Sequence, residues 1–542
     1  MADQAFSRGP SIKFDYGEYW VRDLHFHVPV SDPEFWQSES VYEKLVQTLG
    51  FLTDDRYHFH FYKRKKSKPT SGFLFDKEVV NDSYDEVIMF SGGLDSLAGA
   101  IQEVLVSQRP VVLVSHCSNP KTVSYQRELA EKLQQRALRN KKPLHLAVSI
   151  NKQKHLSRES TQRSRSFLFN AIGITVASAF NRSKLRFYEN GVTSMNLPLS
   201  HQVIAGRASR TTHPKVFHGL AQLASIILNK DFVIENPFLW KTKAEVIQSI
   251  HSAGQGDLIR IARSCAHTRE HSNQYPHCGR CSQCVDRHLS MLATGLEASL
   301  DPPSGYRVDV IREPRLDADR ILIEGYINSA RNIQRMAGVN EFIQYYPQVL
   351  DAARYTGWSA SQAVREIFDL LTRHSHGVVR ALERAFTQNA REFAQGNVQE
   401  GSLLALALTA SIQHPSDWGR IVSNPSPLPE DSNPVRSDVS LRSPLRLAED
   451  QLGFSYRGRL LEFGNNNPFR FLICLNDHFN RFMSYSVISN FVWGNDFQSG
   501  INLHRLAYQV RKKFESEKVN DLKIDGSQTE RYRLGPNEDM AV

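Results

Sequence analysis

The sequence predicts an α/β protein: a doubly wound parallel sheet, with a β-rich extension before it and a helical region and a smaller mixed domain after it. Three observations carry that prediction. Between residues 86 and 300, short apolar runs alternate with helix-length segments, the pattern of strands buried on both faces under helices. The chain is 542 residues long, more than one hydrophobic core normally serves. A stretch rich in Pro, Ser and Asp, including Asn424-Pro425-Ser426-Pro427-Leu428-Pro429, sets the C-terminal segment apart as if by a linker.

The elements follow in order. Residues 1–85 are aromatic and mixed in charge, and the runs Leu24-His25-Phe26-His27-Val28 and Tyr57-His58-Phe59-His60-Phe61 alternate as half-buried strands do. Alternation with Phe and Tyr puts these histidines on one face of a strand, a simpler account than metal ligation. The basic run Lys63-Arg64-Lys65-Lys66 reads as a solvated loop. Residues 86–90 form a strand that ends in Ser91-Gly92-Gly93-Leu94-Asp95-Ser96, and a helix follows from Leu97. Strands are expected at 111–115, 144–148 and 185–191, with helices at about 124–138 and 167–180 between them. Residues 301–410 read as helical, with amphipathic stretches at 340–355 and 360–395; 411–447 read as linker and 448–536 as a last compact unit.

Composition narrows the class. Hydrophobic residues make up 41% and charged residues 23%, ordinary for a soluble globular protein. No apolar run approaches the ~20 residues that span a bilayer. The N-terminal Met1-Ala2-Asp3-Gln4 lacks the basic and then apolar order of a signal peptide. The expectation is a cytoplasmic protein with no membrane partner. A net charge of +9 fits polyanion binding and equally a mildly basic surface. Four of the six cysteines, Cys265, Cys278, Cys281 and Cys284, lie close together, and in a cytoplasm, where disulfides are rare, that pattern reads as a metal site.

The turn at 91–96 has a physical logic. Gly92 and Gly93 let the backbone approach phosphate oxygens, a helix N-terminus offers free amides and a positive dipole, and Ser91 and Ser96 add hydroxyl donors. Bare phosphate repels Asp95, which is therefore expected to hold the loop or to orient Mg²⁺. No Gly-Lys-Ser/Thr follows, so this is not a P-loop. Cys278-Gly279-Arg280-Cys281-Ser282-Gln283-Cys284 spaces three thiols to fold around one tetrahedral ion, and Cys265 supplies a fourth. Four thiolates suit Zn²⁺ and close the site; an iron–sulfur cluster is the competing occupant, and His277 and His288 are alternative ligands.

The Ser-Gly-Gly-x-Asp-Ser turn resembles the signature of the PP-loop ATP pyrophosphatases, and its combination with a late Cys-x(n)-Cys-x-x-Cys-x-x-Cys resembles the QueC family of 7-cyano-7-deazaguanine synthases. Gln162-Arg163-Ser164-Arg165-Ser166-Phe167 stands where that family carries a Pro-Gly-Arg-Asn turn. Asn190-Gly191-Val192, Asn236-Pro237-Phe238, Lys241-Thr242-Lys243-Ala244-Glu245 and Arg287 follow the family's order, and the likeness spans about 210 of 542 residues. The resemblance implies a PP-loop, HUP-like sheet and a nucleotide site at Phe90, Ser91, Gly92, Gly93, Leu94, Asp95, Ser96, Val114, Ser115 and Gly191. It implies catalytic roles for Ser91, Asp95, Ser96, Arg163, Arg165 and Lys243, with ATP, Mg²⁺ and Zn²⁺ as cofactors. The family's Tyr-Pro-Asp-Cys-Arg segment is replaced near 207–214 by Arg207-Ala208-Ser209-Arg210-Thr211-Thr212-His213-Pro214, so substrate handling is expected to differ.

Large divergent members of this kind resemble the QueC-like proteins of bacterial anti-phage operons, those of type IV CBASS and the QatC proteins of Qat systems. That resemblance implies adenylation of a 7-deazaguanine carboxylate and its attachment to the N-terminal amine of a partner protein, such as a CBASS nucleotidyltransferase. Plain synthesis of 7-cyano-7-deazaguanine and a nucleotide-sensing DNA-binding regulator are the alternatives, and a homodimer is compatible with either.

The C-terminal unit reads as a hairpin turning at Gly458, helices at 468–479, 484–493 and 502–518, and strands at 522–524 and 532–534. The order resembles the winged-helix output domains of OmpR-type response regulators, in which His504, Arg505, Arg511 and Lys512 would face DNA. Residues 441–542 carry 14 Lys/Arg against 12 Asp/Glu, a net of only +2. That is a poor footprint for phosphate contacts, so protein docking is favoured over DNA.

Overall fold

A computed structural model describes residues 22–65, 84–117, 120–150, 163–197, 210–267, 272, 274–315, 317–409, 444–447, 453–462, 467–484, 487–488, 492, 500–526 and 531–537. These fall into two compact units, one within the chain up to 409 and the other from 444 onward.

The first unit is built on five strands: β3 (Glu86–Met89), β4 (Val111–His116), β5 (Leu144–Val148), β6 (Lys184–Arg186) and β7 (Val233–Glu235), in the order β5-β4-β3-β6-β7. Every pairing is parallel, with Val87 lying between Val112 and Leu185. Successive side chains leave a strand on opposite faces, and both faces here are covered. Val87, Met89, Val112 and Val114 enter one core. Ile88, Phe90, Val111 and Leu113 enter the other. This is why β3 and β4 read as continuous apolar runs and not as alternating ones. The sixth strand is shorter than the expected 185–191: it ends at Arg186, and Asn190 caps a one-turn helix, Gly191–Met195.

The N-terminal extension departs from the β-rich expectation. Its strands β1 (Asp23–Val30) and β2 (Arg56–Lys63) are parallel, in register from Asp23 opposite Arg56, and a parallel pair needs a crossover. The crossover is α1 (Glu39–Thr53), which buries Val41, Leu45, Leu49 and Leu52 at helical spacing. Arg22 closes the unit by donating to Asp55 through Nε (3.1 Å) and Nη2 (2.6 Å). Leu24, Leu45, Tyr57 and Phe61 share one core with Val87, Val112, Val176 and Val216, so residue 85 is not a core boundary.

Helices α2 (Leu94–Ile101), α3 (Pro120–Arg136), α4 (Arg165–Ala179), α5 (Pro214–Leu228) and α6 (Lys243–Ser252) flank the sheet. Next come α7 (Ser282–Thr294), α8 (Asp317–Arg335), the 29-residue α9 (Ala360–Gln388) and α10 (Leu403–Thr409). Leu289 and Leu292 of α7 share a core with Ile327, Val378, Leu382 and Leu404, together with the four clustered cysteines.

The second unit has its own core, including Phe454, Phe471, Leu475, Leu503, Val510 and Leu534. Strands β8 (Leu445–Leu447), β9 (Gly453–Tyr456) and β10 (Arg459–Glu462) form an antiparallel sheet, so the last residues of the expected linker belong to this unit. The hairpin turns at Arg457 (φ 49°) and Gly458 (φ 78°), the two positive-φ residues of a type I′ turn. Then come α11 (Asn467–Asp477), β11 (Met483–Ser484), α12 (Gly500–Ser516), β12 (Leu522–Asp525) and β13 (Arg531–Pro536), with β13 paired antiparallel to both β11 and β12. Of the helix expected at 484–493, Ser484 is in a strand, Val487, Ile488 and Val492 are helical, and the rest lies outside the described residues. No described helix is long and apolar enough to cross a membrane.

Candidate active site and metal centre

The order β5-β4-β3-β6-β7 reverses direction between β3 and β6, and ligands of open α/β sheets bind outside the carboxyl ends of the strands at such a switch. The loop after β3 is Phe90 to Gly93, and Gly93 is the N-cap of α2 with no side chain bound to its free amides. Ser91 Oγ accepts from Gly93 N (3.3 Å) and meets Ser96 Oγ (3.0 Å), which also donates to Gly93 O (3.1 Å). Gly92 sits at φ +78°, where an added Cβ would strike the ring of Tyr125. Gln126 Nε2 donates to Ser91 O (3.0 Å) and Arg263 N to Gly92 O (3.0 Å), so the loop's carbonyls are tied back on both sides.

Asp95 turns from the loop into the protein, where Oδ2 pairs with Lys243 Nζ. Lys243 is the first residue of α6, behind the Thr242 N-cap and its capping box with Glu245. Burial alone would lower the Lys243 pKa, but Asp95, Asp286 and Glu189 together raise it, so it stays charged. Glu189, just beyond β6, stands beside Asp95; burial and then the Asp95 charge push its carboxyl well above the usual range, against the pull of Lys243. Its backbone is clamped by Asn236, which accepts from Glu189 N (3.2 Å) and donates to Glu189 O (2.8 Å). Asp286 of α7 completes the group and accepts from Tyr326 OH (2.6 Å). Glu189 was not read from the sequence. Its only sequence signal is its position next to Asn190-Gly191, at the end of a strand.

Other sequence-derived site residues scatter. Ser115 Oγ donates to Phe90 O (2.6 Å) and meets His145 Nε2 (2.9 Å), fixing the strand end from within the protein, and Val114 is wholly buried in the sheet. Gly191 is required for packing: a Cβ there would run into the Leu239 carbonyl, and Gly191 N donates to Lys241 O (2.8 Å). Arg163 does not join the loop in its described contacts; its Nη1 reaches Thr53 O (3.4 Å) and Asp54 Oδ2 (3.6 Å) at the carboxyl end of α1. Arg165 lies over the Phe169 ring (5.0 Å), and its pKa is lowered by burial and raised by Tyr125. His116, packed on the same Phe169, has both ring nitrogens buried without a hydrogen-bond partner, and its pKa is lowered by burial and then by Arg165. Gln126 Oε1 and Ser264 Oγ are also buried without partners. Orphaned donors and acceptors are open to a polar ligand, though similar atoms occur elsewhere among the described residues, as at Asn328 and Tyr346. A cavity of about 450 Å³ lies elsewhere, between α6, α7 and α9, lined in part by Glu245, Ser290, Arg373 and His374.

Cys265, Cys278, Cys281 and Cys284 are all buried, and their sulfurs lie within 4.8 Å of one another. Cys278 Sγ and Cys284 Sγ are 3.8 Å apart, Cys265 Sγ and Cys281 Sγ 3.9 Å. Backbone amides of Arg280 and Cys281 each lie 3.4 Å from Cys278 Sγ, the arrangement that supports a thiolate charge. Gly279 makes the turn at φ +78°, where a Cβ would meet the Val308 carbonyl. Four sulfurs converging at this spacing fit a metal ion such as zinc in a closed tetrahedral site. None of the six cysteines forms a disulfide.

The cysteine cluster and the loop share a wall. Arg287 of α7 is buried, bonded to Asp301 Oδ1 (2.7 Å), and donates to the carbonyls of Ala262 and Ile259 (3.0 Å each). His288 Nδ1 and Tyr306 OH meet the other oxygen of Asp301 (3.0 and 2.5 Å). His288 is thereby engaged with Asp301, away from the cysteines. The segment held by Arg287 carries Arg263 against Gly92 and ends at Cys265.

No protein-family model matches the sequence, and no curated protein matches it. Among solved structures, a similar chain is a probable tagatose 6 phosphate kinase from Sinorhizobium meliloti 1021, 12% identical over 62% of this chain and 99% of that one. Its TM-score is 0.13, too slight a likeness to bear on fold or activity.

Proposed function

We propose that the first unit is a PP-loop ATP pyrophosphatase of QueC-like type that adenylates a carboxylate and passes the acyl group to an amine. The observation that carries this reading is the Ser91–Ser96 turn at the carboxyl end of β3, at the switch point, with Asp95 anchored by Lys243. A loop with free helix amides and two hydroxyls suits the β,γ-phosphates of ATP. The orphaned polar atoms of His116, Gln126 and Ser264 suit the rest of the nucleotide.

In the proposed reaction a carboxylate oxygen attacks the α-phosphorus, the bond to the bridging oxygen breaks, and pyrophosphate leaves with the negative charge. The loop amides, Ser91 and Ser96 stabilise that charge as it develops. An amine then attacks the acyl carbon, AMP departs, and the amine's proton passes to solvent. Asp95, whose Oδ1 is buried without a hydrogen-bond partner, is the carboxylate that would hold Mg²⁺, which would supply further charge neutralisation at the phosphates. Zn²⁺ would be held by the four cysteines and would be structural, since no ligand position is left for substrate.

The substrate class proposed is a 7-deazaguanine carboxylate, with the N-terminal amine of a partner protein as acceptor, in bacterial anti-phage defence in the cytoplasm. The second unit is proposed to be winged-helix-like, a reading supported by its strand-helix order and by the β12–β13 hairpin. The test is exchange of labelled pyrophosphate into ATP by the purified chain with and without 7-carboxy-7-deazaguanine. Carboxylate-dependent exchange supports the reading, and exchange that ignores the carboxylate overturns it. A nitrile product with ammonia would instead mark a 7-cyano-7-deazaguanine synthase.

A further inference from the structure

The exposed face of the β1–β2 ribbon is unusual in what it carries. Parallel register sets His25 opposite His58 and His27 opposite His60, and all four alternate outward while Leu24, Tyr57 and Phe61 go inward to the core. His25 and His58 stack with ring centroids 4.4 Å apart, nearly parallel at 11°. Asp23 joins them from one turn of the pleat away: its Oδ1 lies 2.9 Å from His58 Nε2 and 3.7 Å from His25 Nε2. One ligand atom from each of the three falls within 4.8 Å of the others.

We infer that Asp23, His25 and His58 form a binding site for a divalent transition-metal cation, independent of the cysteine centre and of the proposed chemistry. The donor set is two imidazoles and one carboxylate, which suits Zn²⁺, Ni²⁺ or Cu²⁺ and leaves positions for water. Around an ion with metal–nitrogen distances of ~2.0–2.1 Å, neighbouring donors sit roughly 3–4 Å apart. Closing from within 4.8 Å needs side-chain rotation only, and these side chains are 51 to 68% exposed and free to rotate. The backbone beneath them is fixed: the ribbon is pinned by the buried Arg22–Asp55 pair at the same end as Asp23. A rigid register with mobile donors is what a surface chelate requires. The second pair, His27 and His60, is tilted at 60° with centroids 5.2 Å apart, and among the described residues it forms no comparable three-donor group.

The probe is Ni²⁺, titrated calorimetrically into the untagged full chain whose cysteine centre has first been filled with zinc. One further equivalent of Ni²⁺ is expected per chain. His58→Ala and His25→Ala should each weaken it by at least about tenfold, as loss of a supporting ligand does. His60→Ala should leave it within about twofold, the change expected for a residue outside the donor set. All three replacements are at exposed positions, and unchanged melting would certify that the fold is intact. Absence of a second equivalent in the native chain overturns the proposal, as does binding that survives both His25→Ala and His58→Ala. Equal weakening by His60→Ala would also overturn the assignment, by making the site a diffuse histidine surface.

Discussion

Asp95 and Lys243 are 148 positions apart, yet their contact fixes the first turn of α2 against the first turn of α6. Removing one partner of a buried ion pair leaves the other charge stranded, at about 3–5 kcal/mol. Lys243→Met is therefore expected to lower stability by that order and to abolish AMP formation, with Asp95→Asn on the same background restoring part of the stability; urea denaturation at pH 7 measures both. Ser91→Ala separates chemistry from folding. Its hydroxyl bonds only within the loop, so melting should hardly change while AMP release falls about 10²-fold, the usual effect of deleting one preorganised donor. His213 gives a pH signature. Its Nδ1 accepts from Lys215 N (3.1 Å) as the N-cap of α5, which only a neutral ring can do. Burial, then Arg210, lowers its pKa to about 3, against a partial pull from Asp351. A folded pKa below the unfolded value of ~6.5 means the unfolded chain binds more protons between the two, so stability is full above 6.5 and lost as pH falls towards 3. From pH 7 to pH 5 the loss from this ring should be about 1–2 kcal/mol. His213→Asn, a cap that does not titrate, should flatten the denaturation midpoint over that range. The turn from Ser91 to Ser96 is a local pattern that the sequence carries, whereas Lys243 entered only through the resemblance, and neither its capping box nor its pairing with Asp95 was read. Glu189 was not legible, because what makes it notable is the company of Asp95 and Asp286, set only by the crossing of β6 beside β3. For Arg163 and Gly191 the alignment by resemblance was legible but the packing partners, Asp54 and Leu239, were not.

At the scale of elements, three thiols at close spacing could be read directly, since Cys278, Cys281 and Cys284 lie on one turn and the start of one helix, with Cys265 thirteen positions before them. Hidden from the sequence was the stretch 259–265, bonded to Arg287 at one end and joining the cysteine cluster at the other, with Arg263 against Gly92 between. A metal held by that cluster would support the loop. About one zinc per chain is expected by elemental analysis, and its removal by a chelator should cost both stability and AMP formation, because a metal that holds a fold contributes its binding energy to folding. Zinc-free protein that keeps its melting curve, or iron with visible absorbance, would remove the basis for this support. The N-terminal extension shows the opposite case. Its two alternating runs were legible as strands, but Val41, Leu45, Leu49 and Leu52 at helical spacing between them make the pair parallel instead of a hairpin. Period-two alternation identifies a strand and says nothing of its partner's direction.

The whole molecule joins a unit with the proposed catalytic loop to a second unit with a separate core, through a sequence rich in Pro and Ser. A module carrying a net charge of only +2 over residues 441–542 is weakly equipped to hold DNA, where phosphate contacts supply most of the affinity. On the proposed function it holds a protein instead, and holding the acceptor would raise the effective concentration of its N-terminal amine at the loop, to the order of mM for tethered modules. The first unit would then need no close recognition of the acceptor sequence. Because the core of residues 445–534 is distinct from the four around the sheet and helices, ending the chain before residue 444 should leave the first unit folded. The truncated chain is expected to exchange pyrophosphate into ATP at the native rate with the small carboxylate, but to modify the partner protein at least about tenfold more slowly at micromolar concentrations, the lost advantage of tethering. Raising the partner to millimolar concentration should recover that rate, since it replaces the tether by mass action. A truncated enzyme that modifies its partner at full rate would refute docking, and so would an isolated second unit that binds duplex DNA tightly with a steep dependence on salt.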